Sequence, residues 1–211
     1  MIVDLPFYEN DADGNRCVPI CGKIVLEHFL GKKYSSDKLD DLMGRKSGMW
    51  TYISQLVKVL HNEGLDVKYY SKFDLEPILE GEPFLRRHYG KDAEVILKHT
   101  DLPVVLDATK KVLGFEVFEK GEPSMNQIEE QLEQGHIPIV VIDNNKISGK
   151  KGDFQGHVVV ITGFDEENVY FHESGPRNLT PNKKVNKELF VSAMNANGTD
   201  NDCVIVFGKR E

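Results

Sequence analysis

The chain has 211 residues, and its 34 aspartates and glutamates outnumber its 26 lysines and arginines, which gives a formal net charge of −8 at pH 7. We expect no nucleic-acid partner, because phosphate binding needs a basic face and no basic cluster here outweighs the acids. No apolar run approaches the roughly 20 residues of a membrane span, and the opening MIVDLPFYEN lacks the regions of a signal peptide. With three cysteines, an odd number that fits a reducing compartment, the sequence predicts a cytoplasmic protein without a membrane partner.

Residues 15–31, NRCVPICGKIVLEHFLG, predict a buried helix that begins at a cysteine. Proline is tolerated only in the first turn of a helix, so Pro19 places the start at about Cys17 or Val18. Apolar residues then recur at helical spacing, and Gly31 can cap the C-terminus. A thiol at a helix N-terminus lies near unpaired N–H groups and the positive end of the helix dipole, which lower its pKa. Cys17 is therefore a candidate nucleophile, although free cysteines are more often buried structural residues.

The rest of the first half predicts mainly helices. A serine pair after the first helix can cap a second, short helix, and an apolar periodic run at 50–64 predicts a third, with Trp50 as a core anchor. A strand is expected at 67–70. Between 73 and 114 the apolar residues recur in helical spacings broken by glycine and proline, which predicts several short helices.

The second half predicts more strands. Ser124 and Gln127 form a capping box before a helix at 125–134. The continuous apolar run at 137–142 is typical of a buried central strand. After a polar loop at 144–156 and a hairpin described below, we expect an irregular segment at 176–184, a helix at 188–195 and a closing strand at 203–208.

Residues 156–176, GHVVVITGFDEENVYFHESGP, predict a β-hairpin whose two ends carry a histidine and an acid. In an antiparallel hairpin the first residue of one strand lies beside the last residue of its partner, so His157 and Glu173 should come close together. His172 should point to the opposite face of its strand. Cys17, His157 and Glu173, in that order along the chain, form the pattern of a thiol triad.

Three motifs, CVPIC with an apolar helix ending in FLG, GHVVVITGFD, and the acid before SGP, resemble those of papain-like cysteine peptidases. The resemblance is closest to the branch of bacteriocin-processing (double-glycine leader) peptidases and their stand-alone relatives. It implies that Cys17 is the nucleophile, His157 the general base, and Glu173 the orienting acid where the family usually has aspartate. Relatives commonly carry an oxyanion-hole glutamine about six residues before the cysteine. That place falls at Asp11, with Asn10 one position further out as our candidate donor.

The resemblance also implies an α+β fold of the papain-like type. Residues 1–211 would form a single catalytic domain. Its helix-rich N-terminal lobe, residues 1–113 with the nucleophile helix, would pack on an antiparallel sheet lobe, residues 114–211, that holds the histidine and the acid. We expect no cofactor and no metal in this domain.

The predicted activity is that of a cysteine peptidase or amide hydrolase on a peptide or protein substrate. His157 would take the proton of Cys17, and the thiolate would attack the carbonyl carbon to give an acyl-enzyme thioester. Cys21 is an alternative nucleophile, because Asn15 precedes it by six residues. Against it, Cys21 lies inside the helix, where hydrogen bonds already use the backbone amides.

Two other functions remain open at this point. The same triad would serve an acyltransferase if an amine replaced water as acceptor. The chain would instead be a non-catalytic peptide-binding module on a peptidase fold if the missing glutamine and the change from aspartate to glutamate had removed activity. The second alternative predicts an unreactive Cys17 with an ordinary thiol pKa.

Overall fold

A computed structural model describes residues 1–10, 14–176 and 178–211, and these residues build their core around one mixed sheet. The strands are β1 (Leu65–Ser71), β2 (Phe118–Lys120), β3 (Ile137–Asp143), β4 (Gly156–Phe164), β5 (Asn168–Glu173), β6 (Thr180–Asn186) and β7 (Cys203–Lys209). Their order across the sheet is β2-β1-β7-β3-β4-β5-β6. The pair β1–β2 is parallel and the other neighbours are antiparallel.

Helices cover the sheet on both faces. Strands β3 and β4 are buried at almost every position, odd and even, as expected for strands covered on both sides. The α-helices of the described residues are α1 (Cys17–Leu30), α2 (Ser36–Met43), α3 (Ile53–Asn62), α4 (Glu82–Tyr89), α5 (Ala93–His99), α6 (Leu102–Gly114), α7 (Met125–Glu133), α8 (Asn144–Ile147) and α9 (Lys187–Met194). Helix α1 packs against β4 and β7, and α3 packs against β1.

The helix ends follow the local sequence signals. Helix α1 begins at Cys17, and Gly31 ends it in the left-handed conformation with φ of 65°. The hydroxyl of Ser35 accepts a hydrogen bond from the backbone N–H of Lys38 at the start of α2. Ser124 and Gln127 form the expected capping box of α7. These three predictions are confirmed.

The α+β class is confirmed, while three local expectations are wrong. Trp50 is no core anchor: it lies before α3, stacks on His99 and is 38% exposed. The segment 176–184 is not wholly irregular, because β6 begins at Thr180 and pairs with β5. The polar loop at 144–156 opens with the short helix α8. Edge strand β6 has mostly exposed side chains, so the sequence lacks the apolar alternation that identifies a half-buried strand.

The sheet also takes in a strand from the first 113 residues. Strand β1 lies between β2 and β7 and carries helix α3 on one face. The division into lobes at residue 113 stays a prediction. In the described ranges all three cysteines are free. No helix in the same ranges is both long and apolar enough to cross a membrane.

Two arginines share one carboxylate and thereby fix the residue before α1 to helix α2. Nη2 of Arg16 and Nη1 of Arg45 both lie 2.8 Å from Oδ2 of Asp40. The Arg45 side chain is only 1% exposed. Removing the charge of a buried ion-pair partner leaves the opposite charge poorly compensated.

We expect Asp40→Asn to lower the free energy of unfolding by about 3 kcal/mol, measured by urea denaturation. The matched control is Asp37→Asn. Asp37 also pairs with Arg16, at 3.2 Å, but its side chain is 91% exposed. Surface pairs of this kind contribute at most about 1 kcal/mol, so equal losses in the two variants would contradict the prediction.

Candidate active site

Cys17 is the first residue of α1, where the helix has its unpaired N–H groups. In the described residues the cap position, Arg16, makes no side-chain capping hydrogen bond, and the first turn holds no acidic residue. The backbone N–H groups of Val18 and Val158 donate to the Cys17 sulfur. The positive end of the helix dipole is thus directed at a partly buried thiol.

His157 lies near the start of β4 and joins Cys17 to Glu173. Its Nε2 is 2.9 Å from Oε1 of Glu173. The imidazole also hydrogen-bonds the Cys17 thiol, and because Nε2 is occupied, Nδ1 is the nitrogen left for that contact. The His157 and Glu173 side chains are 12% and 5% exposed.

The strand register explains how the side chain of Glu173 reaches His157. Val160 of β4 faces His172 of β5, so continuing the pairing puts Glu173 opposite position 159 and diagonal to His157. A diagonal neighbour on one face of a sheet is within reach of a long side chain. Glu173 is further held by the Gly175 N–H, which donates to its Oε1 at 3.1 Å. Nζ of Lys183 on β6 lies 3.5 Å from its Oε2.

The pKa values of Cys17, His157 and Glu173 all shift in the direction that favours the charged form of each group. Burial raises the pKa of the Cys17 thiol, but the hydrogen bond and charge of His157 outweigh burial and hold it below its usual value. Burial lowers the pKa of His157, yet Cys17 and Glu173 raise it overall to about 10. Burial raises the pKa of Glu173, and the contact with His157 lowers it overall. At neutral pH the arrangement therefore favours a thiolate, an imidazolium and a carboxylate.

Cys21, the alternative nucleophile, lies in a different environment. Its side chain is buried, and its sulfur donates to the carbonyl oxygen of Val158 at 3.5 Å. Burial, followed by the neighbouring Cys17, raises its pKa well above the usual thiol value. The Cys21 thiol therefore stays protonated, and the geometry favours Cys17 over Cys21.

Asn10 reaches this region through the N-terminal segment. Its backbone N–H donates to the carbonyl oxygen of Ser174 at 2.8 Å. Its side-chain Oδ1 accepts from the N–H of Arg16 at 3.3 Å, and its Nδ2 donates to the carbonyl oxygen of Gly14 at 3.2 Å. An amide nitrogen carries two hydrogens, so Nδ2 keeps one for a further acceptor. The oxyanion role of Asn10 stays a prediction. Asp11, at the position where the peptidases that the sequence resembles commonly carry glutamine, lies outside the described residues.

His172 faces away from the triad, as the alternation along β5 predicts. Its Nε2 lies 3.2 Å from the Leu5 carbonyl oxygen, and its Nδ1 accepts the Asn182 N–H at 3.2 Å. It ties the N-terminal segment to the sheet. Sequence reasoning missed Lys183 and the N–H of Val158, since β-pairing and packing bring them to the site and no local motif marks them.

Comparison with solved structures places the fold among those of papain-like peptidases. A protein described as a C39-like peptidase from Bacillus anthracis superposes with a TM-score of 0.59 at 11% identity, covering 100% of this chain and 98% of that one. This likeness confirms the expected papain-like fold. The peptidase domain of Streptococcus ComA, a bifunctional ABC transporter of a quorum-sensing pathway, gives 0.49 at 14% identity, with 98% of each chain covered. A double-glycine motif protease from an AMS/PCAT transporter, in complex with its leader peptide, gives 0.49 at 12%, with 97% and 93% covered.

Sequence comparison assigns the family. The sequence profile of the family described as guanylylate cyclase matches residues 16–206, and the chain belongs to that family. Cys17, His157 and Glu173 all lie inside the matched span. Curated protein sequences give no match.

Proposed function

We propose that the protein is a thiol hydrolase that cleaves a peptide or amide bond. The observation that supports this most directly is the chain of contacts from the helix N-terminus to the sheet. His157 hydrogen-bonds the Cys17 thiol and lies 2.9 Å from the carboxylate of Glu173. A thiol paired with an imidazolium is a nucleophile at neutral pH, whereas a thiol without such a partner is mostly protonated.

In the proposed reaction the Cys17 thiolate attacks the carbonyl carbon of the substrate. The backbone N–H of Cys17 and the side chain of Asn10 would donate to the oxyanion. When the C–N bond breaks, His157 gives its proton to the leaving amine, and a thioester remains on Cys17. His157 then takes a proton from water, whose oxygen attacks the thioester and frees the thiol. Glu173 holds the imidazole in one orientation and stabilises its charged form.

A peptide substrate and a cytoplasmic location belong to the same proposal. The peptide follows from the resemblance of the Cys17 and His157 segments to those of peptidases. A reducing compartment would keep the Cys17 thiol free for the reaction. An acyltransferase would use the same thioester and differ only in its acceptor, so it is tested by adding an amine and identifying the product.

The test is a mixture of unmodified peptides incubated with the full chain, with cleavage products and thioester adducts followed by mass spectrometry. We expect new peptide ends in the wild type and an adduct on Cys17 after rapid acid quenching. Cys17→Ser should remove both signals, and the matched control Cys21→Ser should keep them. Cleavage that survives in Cys17→Ser, or is lost in Cys21→Ser alone, would contradict the proposal.

The family match favours a second candidate, the cyclisation of a guanine nucleotide that the family name denotes. The same preparations, incubated with GTP and Mg²⁺ and analysed by chromatography, test it directly. A cyclic product formed equally by wild type and Cys17→Ser would support the cyclase and place it outside the thiol site. Peptide cleavage without any nucleotide product would support the hydrolase.

A further inference from the structure

A cavity of about 50 Å³ lies between the start of α3, the end of β1, and helices α4 and α6. Its wall carries three carboxylates, three phenols and an imidazole, and most of the remaining side chains are leucine, isoleucine, valine and phenylalanine. The polar members include Asp200, Asp202, Tyr52, Tyr69, Tyr89 and His88. The third carboxylate, Asp74, pairs with Lys120 at 2.7 Å. We call this space the aspartate cavity.

Asp200 and Asp202 have mainly polar neighbours, with one imidazole close to Asp200. The hydroxyl of Tyr69 donates to Oδ1 of Asp202 at 3.0 Å, and that of Tyr89 donates to Oδ2 of Asp200 at 3.4 Å. Nε2 of His88 lies 3.6 Å from Oδ1 of Asp200. In the part of the chain that the structure describes, no lysine or arginine forms an ion pair with either aspartate. Burial, and then the charge of Asp200, raise the pKa of Asp202 to about 7.

The cavity also contains a polar group whose hydrogen-bonding capacity is unused. Thr109 of α6 lines the wall and is fully buried, and its hydroxyl has no hydrogen-bond partner among the residues that the structure describes. A buried hydroxyl without a partner is unfavourable, and a hydrogen-bonding group that enters the cavity would satisfy it. Thr109 belongs to a different element from the aspartates. It is thus an independent sign that the space receives a polar ligand.

We propose that the aspartate cavity binds an alkylammonium group, a primary ammonium on a short apolar stem. The carboxylates of Asp200 and Asp202 would supply the negative charge, the aromatic rings a cation–π contact, and the aliphatic wall a surface for the stem. The volume admits a small ligand only. A divalent cation fits less well, because the described residues bring no group of three or more histidine, cysteine or carboxylate ligands together.

The strand register places this cavity at the same end of the sheet as the triad. The N–H of Val141 on β3 donates to the carbonyl oxygen of Asp202 at 3.0 Å, and the next residue, Ile142, pairs with His157. Asp202 therefore lies two strands, roughly 10 Å, from β4. The ammonium could belong to a free amine or to a lysine side chain of a bound peptide. The second source rests on the proposed hydrolase function.

The first experiment titrates the full chain with n-butylammonium chloride, followed by calorimetry and amide chemical shifts, with n-butanol as the neutral probe of the same shape. We expect saturable binding of the ammonium compound and at least tenfold weaker binding of n-butanol. Asp202→Asn should weaken the ammonium affinity about tenfold or more, and Thr109→Val by a few-fold. The matched control is Asp107→Asn, a carboxylate of α6 whose partner is Lys111 at 2.9 Å, outside the cavity.

The second experiment distinguishes a free amine from a lysine side chain as the source of the ammonium group. It uses the Cys17→Ser variant, so its result does not depend on turnover. Short capped peptides that differ only by lysine or norleucine at one position are compared with n-butylammonium. Binding of the lysine peptide about tenfold above the norleucine peptide, lost in Asp202→Asn, assigns the lysine side chain. Binding of the free amine alone assigns a small amine. If neither compound binds to the folded wild-type chain, or if Asp202→Asn and Thr109→Val bind both as well as the wild type, the proposal is overturned.

Discussion

Replacing His157 with alanine is expected to slow alkylation of Cys17 by iodoacetamide about a hundredfold at pH near 6.5. In the wild type the thiol pKa is lowered and the His157 pKa is raised to about 10. The thiolate therefore persists below the ordinary thiol pKa, and the imidazolium that stabilises it persists until the pH approaches 10. In His157→Ala only the helix terminus and the N–H donors remain, while burial opposes ionisation. The alkylation rate of that variant should rise only near the free-thiol pKa of about 8.5 or above.

The measurement is the rate of labelling at each cysteine, read by peptide mass spectrometry across the pH range. Cys21 and Cys203 are internal controls, since both are buried and have raised pKa values. Both should label slowly in wild type and in His157→Ala. A wild-type Cys17 that labels only near the ordinary thiol pKa, with no effect of His157→Ala, would refute the thiolate–imidazolium pair. The non-catalytic binding module would then be the better description of the chain.

Local signals in the sequence were enough to predict helix α1. Pro19 limits the start of α1 and Gly31 its end, and both act through backbone conformation within one turn. The structure has the helix at Cys17–Leu30, as these two residues require. The hairpin that brings His157 towards Glu173 could be predicted equally well, because alternating apolar residues and a turn sequence define it locally. Such elements need no knowledge of the rest of the chain.

The parts of the site that the sequence did not predict come from long-range pairing. Lys183 approaches Glu173 only because β6 pairs with β5, and β6 is an edge strand without apolar alternation. The aspartate cavity likewise depends on β7 lying between β1 and β3. The motif Asp200-Asn201-Asp202 carries no local indication that tyrosines from β1 and α4 surround it. Neither arrangement has a periodicity or a fixed spacing from which it could be derived.

Position 173 has a glutamate where the peptidases that the sequence resembles usually have aspartate, and the register gives a reason for this difference. Because Glu173 is diagonal to His157, its carboxylate has to reach farther than it would to a residue directly opposite on the neighbouring strand. The extra methylene supplies that reach and gives the 2.9 Å contact. The sequence showed the substitution but offered no reason for it.

Replacing Glu173 with glutamine is expected to lower kcat/KM for any substrate of the triad by about a hundred- to ten-thousandfold. The amide keeps the size of the side chain and can still accept the Gly175 N–H, so the fold should be preserved. It lacks the charge that raises the pKa of His157. It can also donate to Nε2, which would leave the proton on Nδ1 and hold the neutral ring in the tautomer that cannot accept a proton from Cys17.

The pH profile distinguishes this role from a structural one. With the carboxylate absent, the pKa of His157 falls from about 10, so the imidazolium loses its proton at lower pH. The descending limb of the pH profile of kcat/KM should therefore move to lower pH. Lys183→Gln is the matched control, because Lys183 contacts the same carboxylate at 3.5 Å without touching His157. It should leave the position of that limb nearly unchanged. If Glu173→Gln lowers kcat/KM but leaves the descending limb at the same pH, Glu173 only supports the fold. If the limb shifts while thermal unfolding stays normal, the charge of Glu173 acts on His157.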